Sequence, residues 1–455
     1  MKRSTQEWIK FTTTRLLGML VDTAILAFAY VAAFALRFDF QRPRWGWRVV
    51  ALSFITVWVV HIAALVLCGC YRVAWRRFTL DDLRRYLRAT LISAFVLTLL
   101  RMCMGVDSLS HVRPPYSITL ICFALATLGL VGWRIIWSWS FLASIKVDSL
   151  LERDIKRLCS KEAIDFLSGK VVMVTGAGGS IGSEIVRQVV LAAPKLLLMV
   201  ERGENALYEI DRELRQQGVN VPIKPLMVDI NDLERMEDVF NFYRPEIVLH
   251  AAAYKHVPMV EMNPREGERN NTEATRNLAE IAKRHQVRRF VLISTDKAVN
   301  PVSVMGKTKL AAEKAIMAMN GEDSSTSFCA VRFGNVFGSS GSVVPLFKEQ
   351  IARHLPITVT HPDMKRYFMT VQEAVGLVLQ AASRKEKAIY TLDMGEPIRI
   401  LDLAEGMIRQ AGYKPYVDIP IIFTGIRPGE KLFEELDVSE NSAYKTDMAH
   451  IYITK

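Results

Sequence analysis

The sequence predicts an α-helical four-span membrane domain, followed by an α/β doubly wound domain with a small C-terminal substrate-binding subdomain. Three observations carry this reading. Four apolar runs fill the first third of the chain, each near the ~20 residues that cross a bilayer. A glycine triplet, Gly176-Ala-Gly-Gly179-Ser-Ile-Gly182, follows an apolar strand-like run and opens an amphipathic segment. Beyond it, strand-like runs alternate with helical patterns. The expected boundaries are a membrane domain over 1–145, a linker over 146–169 and a catalytic domain over 170–455. The substrate subdomain is expected mainly from about 335–370 and 395–440.

The four runs are Leu16–Leu36, Val49–Cys70, Leu87–Met104 and Tyr116–Trp133. The third is the shortest and carries Arg88 and Arg101 at its ends, where long side chains can snorkel. Trp45, Trp47, Trp75, Trp133, Trp137 and Trp139 cluster at run ends, as interfacial anchors do. The charge is divided with them: residues 1–157 hold 21 Lys+Arg against 9 Asp+Glu, and the remainder holds 37 against 38. A uniformly basic chain would suggest nucleic acid, but an excess confined to loops between apolar runs is a topology signal. Arg72, Arg76, Arg77, Arg84, Arg85 and Arg88 place the second loop in the cytoplasm, with the N-terminus and the exit at Lys146–Arg157 on the same side. The first loop, with Arg37, Arg42, Arg44 and Arg48, departs from that rule. The expectation is a multi-pass protein of a bacterial inner (cytoplasmic) membrane, without a cleaved leader and with its catalytic domain in the cytoplasm. Asp22 and His61 fall inside spans; Asp22 is read as lying near an interface and His61 as bonding a neighbouring helix. The six cysteines form no C-x-x-C pair and no metal spacing with histidine, so they read as free thiols, and no metal site is expected.

In the second part, Gly176, Gly179 and Gly182 permit a tight turn, close approach to a pyrophosphate and helix–strand packing, with Ser180 and Ile181 opening the helix towards the phosphates. The next strand ends in Glu201, at roughly the 20-residue distance where an acid holds ribose hydroxyls. That acid favours NAD over NADP, while Arg202 beside it keeps NADP open. Asp229 and Ile230 end a third strand as candidate adenine contacts. Ala251 and Ala252 end a fourth, where small residues let a cofactor lie against backbone.

The stretch Ser294-Thr-Asp-Lys-Ala-Val-Asn-Pro-Val-Ser-Val-Met305-Gly-Lys-Thr-Lys309 follows the apolar run Phe290–Ile293 and sets hydroxyl, carboxylate and ammonium groups at a strand end, where ligands sit in open α/β sheets. With it stand Val174–Glu184, His250-Ala-Ala-Ala-Tyr-Lys255-His256-Val-Pro-Met-Val-Glu261, Val331-Arg332-Phe-Gly-Asn335-Val, Arg366-Tyr367-Phe-Met-Thr370 and Arg427-Pro-Gly-Glu430-Lys431. On these motifs, spanning 170 to about 436, the chain resembles the extended short-chain dehydrogenase/reductase superfamily. More narrowly, it resembles the membrane-bound nucleotide-sugar 4,6-dehydratases of bacterial polysaccharide and glycan synthesis.

The resemblance implies a Rossmann-type core and a reaction on UDP-N-acetylglucosamine. Bound NAD+ takes a hydride from C4, a base removes the C5 proton, an acid protonates the departing C6 hydroxyl, and the hydride returns to C6. It makes Asp296 the acid, Lys297 the base and places Thr295 at the C4 hydroxyl. Met305 stands where most of the superfamily has the tyrosine of Tyr-x-x-x-Lys, so the C4 proton must leave through Thr295, Asp296 or a water. The membrane-bound branch is similar in having methionine there. Lys309 is kept, to hold the nicotinamide ribose. Lys255, His256, Arg332, Asn335, Arg427 and Glu430 are the implied substrate contacts, and a UDP-sugar, the lipid bilayer and a homo-oligomer the implied partners, with no nucleic acid.

Two departures are visible. Asp148–Arg153 runs into Ala163–Lys170 with no room for the second nucleotide-binding-like domain of larger members, and a longer helical tail is expected after Leu436. They leave open a catalytically impaired NAD- or sugar-nucleotide-binding scaffold. A UDP-sugar 4-epimerase on the same fold is the other alternative.

Overall fold

The structure, a computed structural model, describes residues 5–39, 46–72, 80–103, 116–143, 160–321, 324–436, 443–446 and 450–454. The basic loop at Arg76 and Arg77, Trp45 and Trp75, and the junction at 146–157 lie outside them. The chain forms two compact units, the first built mainly from residues 1–145 and the second from 146–408 and 414–455.

The first unit consists of helices α1 (Thr5–Arg37), α2 (Gly46–Leu67), α3 (Leu80–Cys103) and α4 (Tyr116–Ala143). Leu17–Arg37, Val50–Leu67 and Tyr116–Ile136 are long and apolar enough to cross a membrane, with mean hydropathies of 2.1, 2.4 and 1.9. The third expected span is a helix too, but it is not among these. Asp82, Arg84, Arg85, Arg88 and Arg101 confine its apolar stretch to Ala89–Leu100.

Polar side chains join the helices, as they do where apolar contact cannot discriminate partners. Tyr30 and Ser53 hydroxyls meet at 2.6 Å, Trp58 Nε1 donates to Thr23 Oγ1 at 3.0 Å, and His61 Nε2 lies 3.1 Å from Ser93 Oγ. Asp22 is fully buried and paired with Arg134 at 2.8 Å, and Arg134 stacks 4.2 Å over the Tyr86 ring. At the other end of the same two helices Arg37 Nε donates to Ser117 Oγ. The middle of α1 therefore meets the second half of α4 and its end meets the start of α4, so the two run antiparallel. His61 bonds a neighbouring helix as expected. Asp22 has a buried cation that sequence spacing did not reveal.

The second unit opens with α5 (Lys161–Leu167), inside the stretch expected as linker; Ser160 caps it and Ala163 and Leu167 are buried. Strands and helices then alternate: β1 (Val171–Thr175), α6 (Ser180–Leu191), β2 (Leu196–Glu201), α7 (Glu204–Gln216), β3 (Ile223–Met227), α8 (Leu233–Tyr243) and β4 (Ile247–His250). After the short helices α9 (Val257–Met262) and α10 (Pro264–Glu268) come α11 (Ala274–Arg284), β5 (Arg289–Ile293), α12 (Val304–Met317) and β6 (Ser327–Arg332). Every residue of β1, β4 and β5 is buried, the pattern of strands covered on both faces.

The remaining elements are β7 (Asn335–Val336), α13 (Val343–Ala352), β8 (Ile357–Val359), β9 (Lys365–Arg366), β10 (Phe368–Met369), α14 (Val371–Ser383), β11 (Ile389–Leu392), β12 (Ile398–Arg399), α15 (Ile400–Gln410), β13 (Ile421–Phe423), β14 (Ala443–Lys445) and β15 (Ile451–Thr454). The main sheet has the order β14-β15-β11-β6-β5-β4-β1-β2-β3, parallel from β3 to β11 and antiparallel at β15 and β14. The strand order reverses between β1 and β4, which is the switch point where such sheets bind ligands.

Alternate β1 residues face opposite layers. Val172 and Val174 belong to the layer of Ile185 on α6, Ile210 and Leu214 on α7 and Val378 on α14. Val171 and Met173 belong to that of Phe240 on α8, Leu278 on α11 and Ile316 on α12. Around the strand ends, β7 pairs with β10, β9 with β12 and β8 with β13, all within residues 335–423.

Candidate active site

At the β1–α6 turn, Gly176 adopts φ +68, and a Cβ there would lie 2.8 Å from the backbone of Ala252. A Cβ on Gly182 would lie 1.9 Å from the Gly176 carbonyl oxygen. Both positions exclude any side chain, so the spacing read from sequence has a steric cause in β1, β4 and α6. Glu201 at the end of β2 accepts backbone N–H bonds from Gly178 at 3.2 Å and Gly203 at 3.0 Å. Its carboxylate thus clasps the glycine turn. Arg202 donates to the Tyr254 hydroxyl at 2.8 Å, stacks 4.8 Å over that ring and lies 3.9 Å from Asp229. Glu201, Arg202, Asp229, Ile230 and Ala252 line a cavity of about 160 Å³. It shares Gly179, Ala251 and Tyr254 with a larger one of about 960 Å³, into which Ser180, Ile181 and Gly182 also open.

The larger cavity reaches the end of β5. The Ser294 N–H still pairs with Val331 O and the Asp296 N–H with Phe333 O, after which Asp296–Ala298 forms a single 3-10 turn. Thr295 Oγ1 donates to Asp296 Oδ1 at 2.9 Å and accepts from Lys297 N at 3.3 Å. Lys297 Nζ donates to Asp296 Oδ1 at 2.9 Å and to Asn335 Oδ1 on β7 at 3.0 Å. Asp296 is 1% exposed, and its Oδ2 is buried with no hydrogen-bond partner.

On α12, Ser303 caps the first turn through Gly306 N, and Glu261 accepts from Val304 N at 2.6 Å. Met305 packs against Val257 and Val260 of α9 while lining the cavity. One turn on, Lys309 Nζ donates to Ile293 O at 2.6 Å, and burial pulls its pKa down to about 8.

Of the expected substrate contacts, Lys255, His256, Asn335, Arg427 and Glu430 line the larger cavity. Burial lowers the Lys255 pKa; burial and then the charge of Lys255 lower that of His256. Glu430 Oε2 is buried without a partner, an acceptor turned to no protein donor. Arg332 is a correction. It does not line either cavity; its Nε and Nη2 pair with Glu313 at 2.9 and 2.6 Å beneath the sheet end, and Ser294 Oγ donates to the same carboxylate. Alternation along β6 decides this, since one residue's shift on a strand reverses the face it serves.

Sequence reading passed over Glu434 and assigned Arg366 no role. Arg366 on β9 donates to the carbonyls of Lys431 and Leu432, and Glu434 Oε1 lies 3.7 Å from Arg366 Nε and 3.8 Å from Lys297 Nζ. The only sequence signal was the inclusion of Arg366 and of Glu430-Lys431 in polar motifs, without any indication that the two segments meet.

A glycine cradle, an acid at the end of β2 and a polar strand end line two adjoining cavities that share Gly179, Ala251 and Tyr254, the larger of a size for a small-molecule ligand. The comparisons agree with that geometry. Residues 172–455 match the Polysaccharide biosynthesis protein family. A capsular polysaccharide biosynthesis protein of Staphylococcus aureus is 51% identical over 297 residues, 65% of this chain and 49% of that protein. This chain spans about half the length of that relative and of a Bacillus subtilis one. A Campylobacter jejuni protein named UDP-N-acetylglucosamine 4,6-dehydratase (inverting) is 32% identical over 63% of this chain and 82% of its own length. A Rickettsia canadensis protein named UDP-glucose 4-epimerase is also 32% identical, over 62% and 82%. The X-ray structure of Pen from Bacillus thuringiensis superposes with a TM-score of 0.59 at 33% identity, covering 64% of this chain and 89% of that one. With the glycine cradle, the β5 end and the match all falling in the same unit, the chain belongs to the polysaccharide biosynthesis protein family.

Proposed function

We propose that the protein is a membrane-anchored UDP-N-acetylglucosamine 4,6-dehydratase that uses NAD and makes a 4-keto-6-deoxy sugar nucleotide for surface polysaccharide or glycan. The observation that carries this reading is the contact set of Thr295 and Lys297 on the cavity floor with Asp296 buried directly beneath them, lining neither cavity itself, and a thioether at position 305. NAD fits the residues present: the glycine positions exclude side chains, and Glu201 stands where ribose hydroxyls would compete with its backbone partners. The chemistry NAD supplies when bound is reversible hydride storage.

This chain's residues then handle the protons. Thr295 Oγ1, already donating to Asp296, passes the C4 hydroxyl proton to that carboxylate. Asp296 thereby becomes the acid that protonates the departing C6 hydroxyl. Lys297 takes the C5 proton and returns it there after water has left. Balance holds, because the proton lost from the C4 hydroxyl leaves in the water. No tyrosine is required, which accounts for Met305. Lys309 holds the ribose, Arg427 faces the diphosphate and Glu430 the sugar hydroxyls or uridine. Each acid–base step is worth ~10²–10⁴-fold.

Anchoring is supported by the three helices of membrane-spanning length and hydropathy, and α3 is read as a fourth span with the arginines at its two ends snorkelling to the two membrane faces. Full-length protein in detergent, given UDP-N-acetylglucosamine and NAD+, is expected to yield a product lighter by one water. A product of unchanged mass altered at C4 would instead identify a 4-epimerase, the reading favoured by the Rickettsia relative. No product from NAD-loaded protein would leave a binding scaffold.

A further inference from the structure

Lys297 Nζ is held from three separate segments. Asp296 on its own turn and Asn335 on β7 accept its hydrogen bonds. Glu434 supplies the third partner, an anion 3.8 Å away whose side chain is 4% exposed. Glu434 is itself fixed from outside. Arg366 donates to the carbonyls of Lys431 and Leu432, Lys431 Nζ donates to Val299 O just past the catalytic turn, and Asn300 Nδ2 donates to Glu435 Oε2 at 2.6 Å. The segment 431–435 is thus stitched to β9 on one side and to the Asp296–Asn300 turn on the other, and it aims one carboxylate between Arg366 and Lys297.

We propose that Glu434 is a positioning residue for Lys297. While the amine stays hydrogen-bonded to Asp296, Glu434 biases it towards the cavity side, where the C5 hydrogen of the substrate lies. Without it, Asp296 and Asn335 alone would hold the amine against the floor. The inference rests on the dehydratase reading and assigns Glu434 no contact with the sugar. The groups facing Glu434 are Lys297, Asp296, Arg366 and Lys431. Burial, together with the Asp296 charge, outweighs the three cations and raises its pKa. The anchor therefore weakens on acidification at a pH above the ordinary carboxylate range.

The test uses full-length protein and UDP-N-acetylglucosamine with hydrogen or deuterium at C5. A misplacement on the order of 1 Å costs about 10²-fold. Glu434→Gln is therefore expected to lower kcat by about 10- to 100-fold, leave KM within about twofold and enlarge the C5 isotope effect on kcat. It should also remove the part of the acid-side fall in kcat that follows Glu434. Glu434→Asp, which keeps the charge one methylene back, should recover part of kcat and show an intermediate isotope effect. If Gln fails to fold, the Asp variant decides the matter by the same isotope effect. An active wild type with an unaltered isotope effect in both variants overturns the inference alone, as would a loss carried entirely by KM. An NAD-loaded wild type that eliminates no water overturns the dehydratase reading and the inference with it.

Discussion

Lys297 and Met305 sit towards opposite ends of one motif and carry opposite expectations. Lys297 lies among Asp296, Asn335 and Glu434, so Lys297→Ala removes the amine of that cluster and should lower turnover at least ~10²-fold with NAD content unchanged. Met305 packs with Val257 and Val260 and has no proton to exchange, so Met305→Leu, a near-isosteric swap, should keep most of the turnover in the same assay. Arg332 behaves differently from both. Its pair with Glu313 is almost completely buried, and Arg332→Met leaves that carboxylate without its cation, bonded to Ser294. Loss of ~3–5 kcal/mol is expected from the denaturation midpoint, with the KM for the proposed sugar-nucleotide substrate of the surviving folded protein little changed.

At the scale of elements, the β1–α6 turn and α12 bound the end of the cavity where the proposed cofactor would lie. Gly182→Ala places a methyl on the Gly176 carbonyl, so NAD binding followed by titration calorimetry should be lost even if the sheet forms. Lys309, one turn along α12 from Met305, is wholly enclosed and its pKa is depressed to about 8 from 10.5. Between those values the unfolded chain binds the proton and the folded one does not, so stability rises with pH across that window. The penalty for protonated Lys309 is fully present below about 8. The stability gap between Lys309→Met and wild type, measured by denaturant midpoint from about pH 7 to 10.5, should therefore move in favour of wild type as pH rises.

The whole molecule combines an α/β unit with helices of membrane-spanning length and hydropathy. Alkaline carbonate strips peripheral proteins but not spanning helices, so full-length protein should stay in the membrane pellet after such a wash. Asp22 and Arg134 tie helices α1 and α4 by a buried pair, so the expectation for Asp22→Asn is a lower melting temperature in detergent. Retention of the pellet signal in that variant would separate packing from insertion.

Local signals were enough for much of this protein. Apolar runs of bilayer length, the glycine triplet and the strand–helix alternation determined the class of each part, because each depends only on neighbours along the chain. Ser294–Lys309 was legible for the same reason: strand, turn and helix are consecutive, so their polar residues must share one sheet edge. The tertiary structure decided what depends on segments far apart in sequence. It took Arg332 out of the cavity through the pleat of β6 and its pairing with Glu313, gave Asp22 its partner on α4, and brought Glu434 to Lys297 from a distant part of the chain. Charges paired over such distances leave no periodicity in the sequence, and only the packing of separate elements selects which of many carboxylates reaches a given amine.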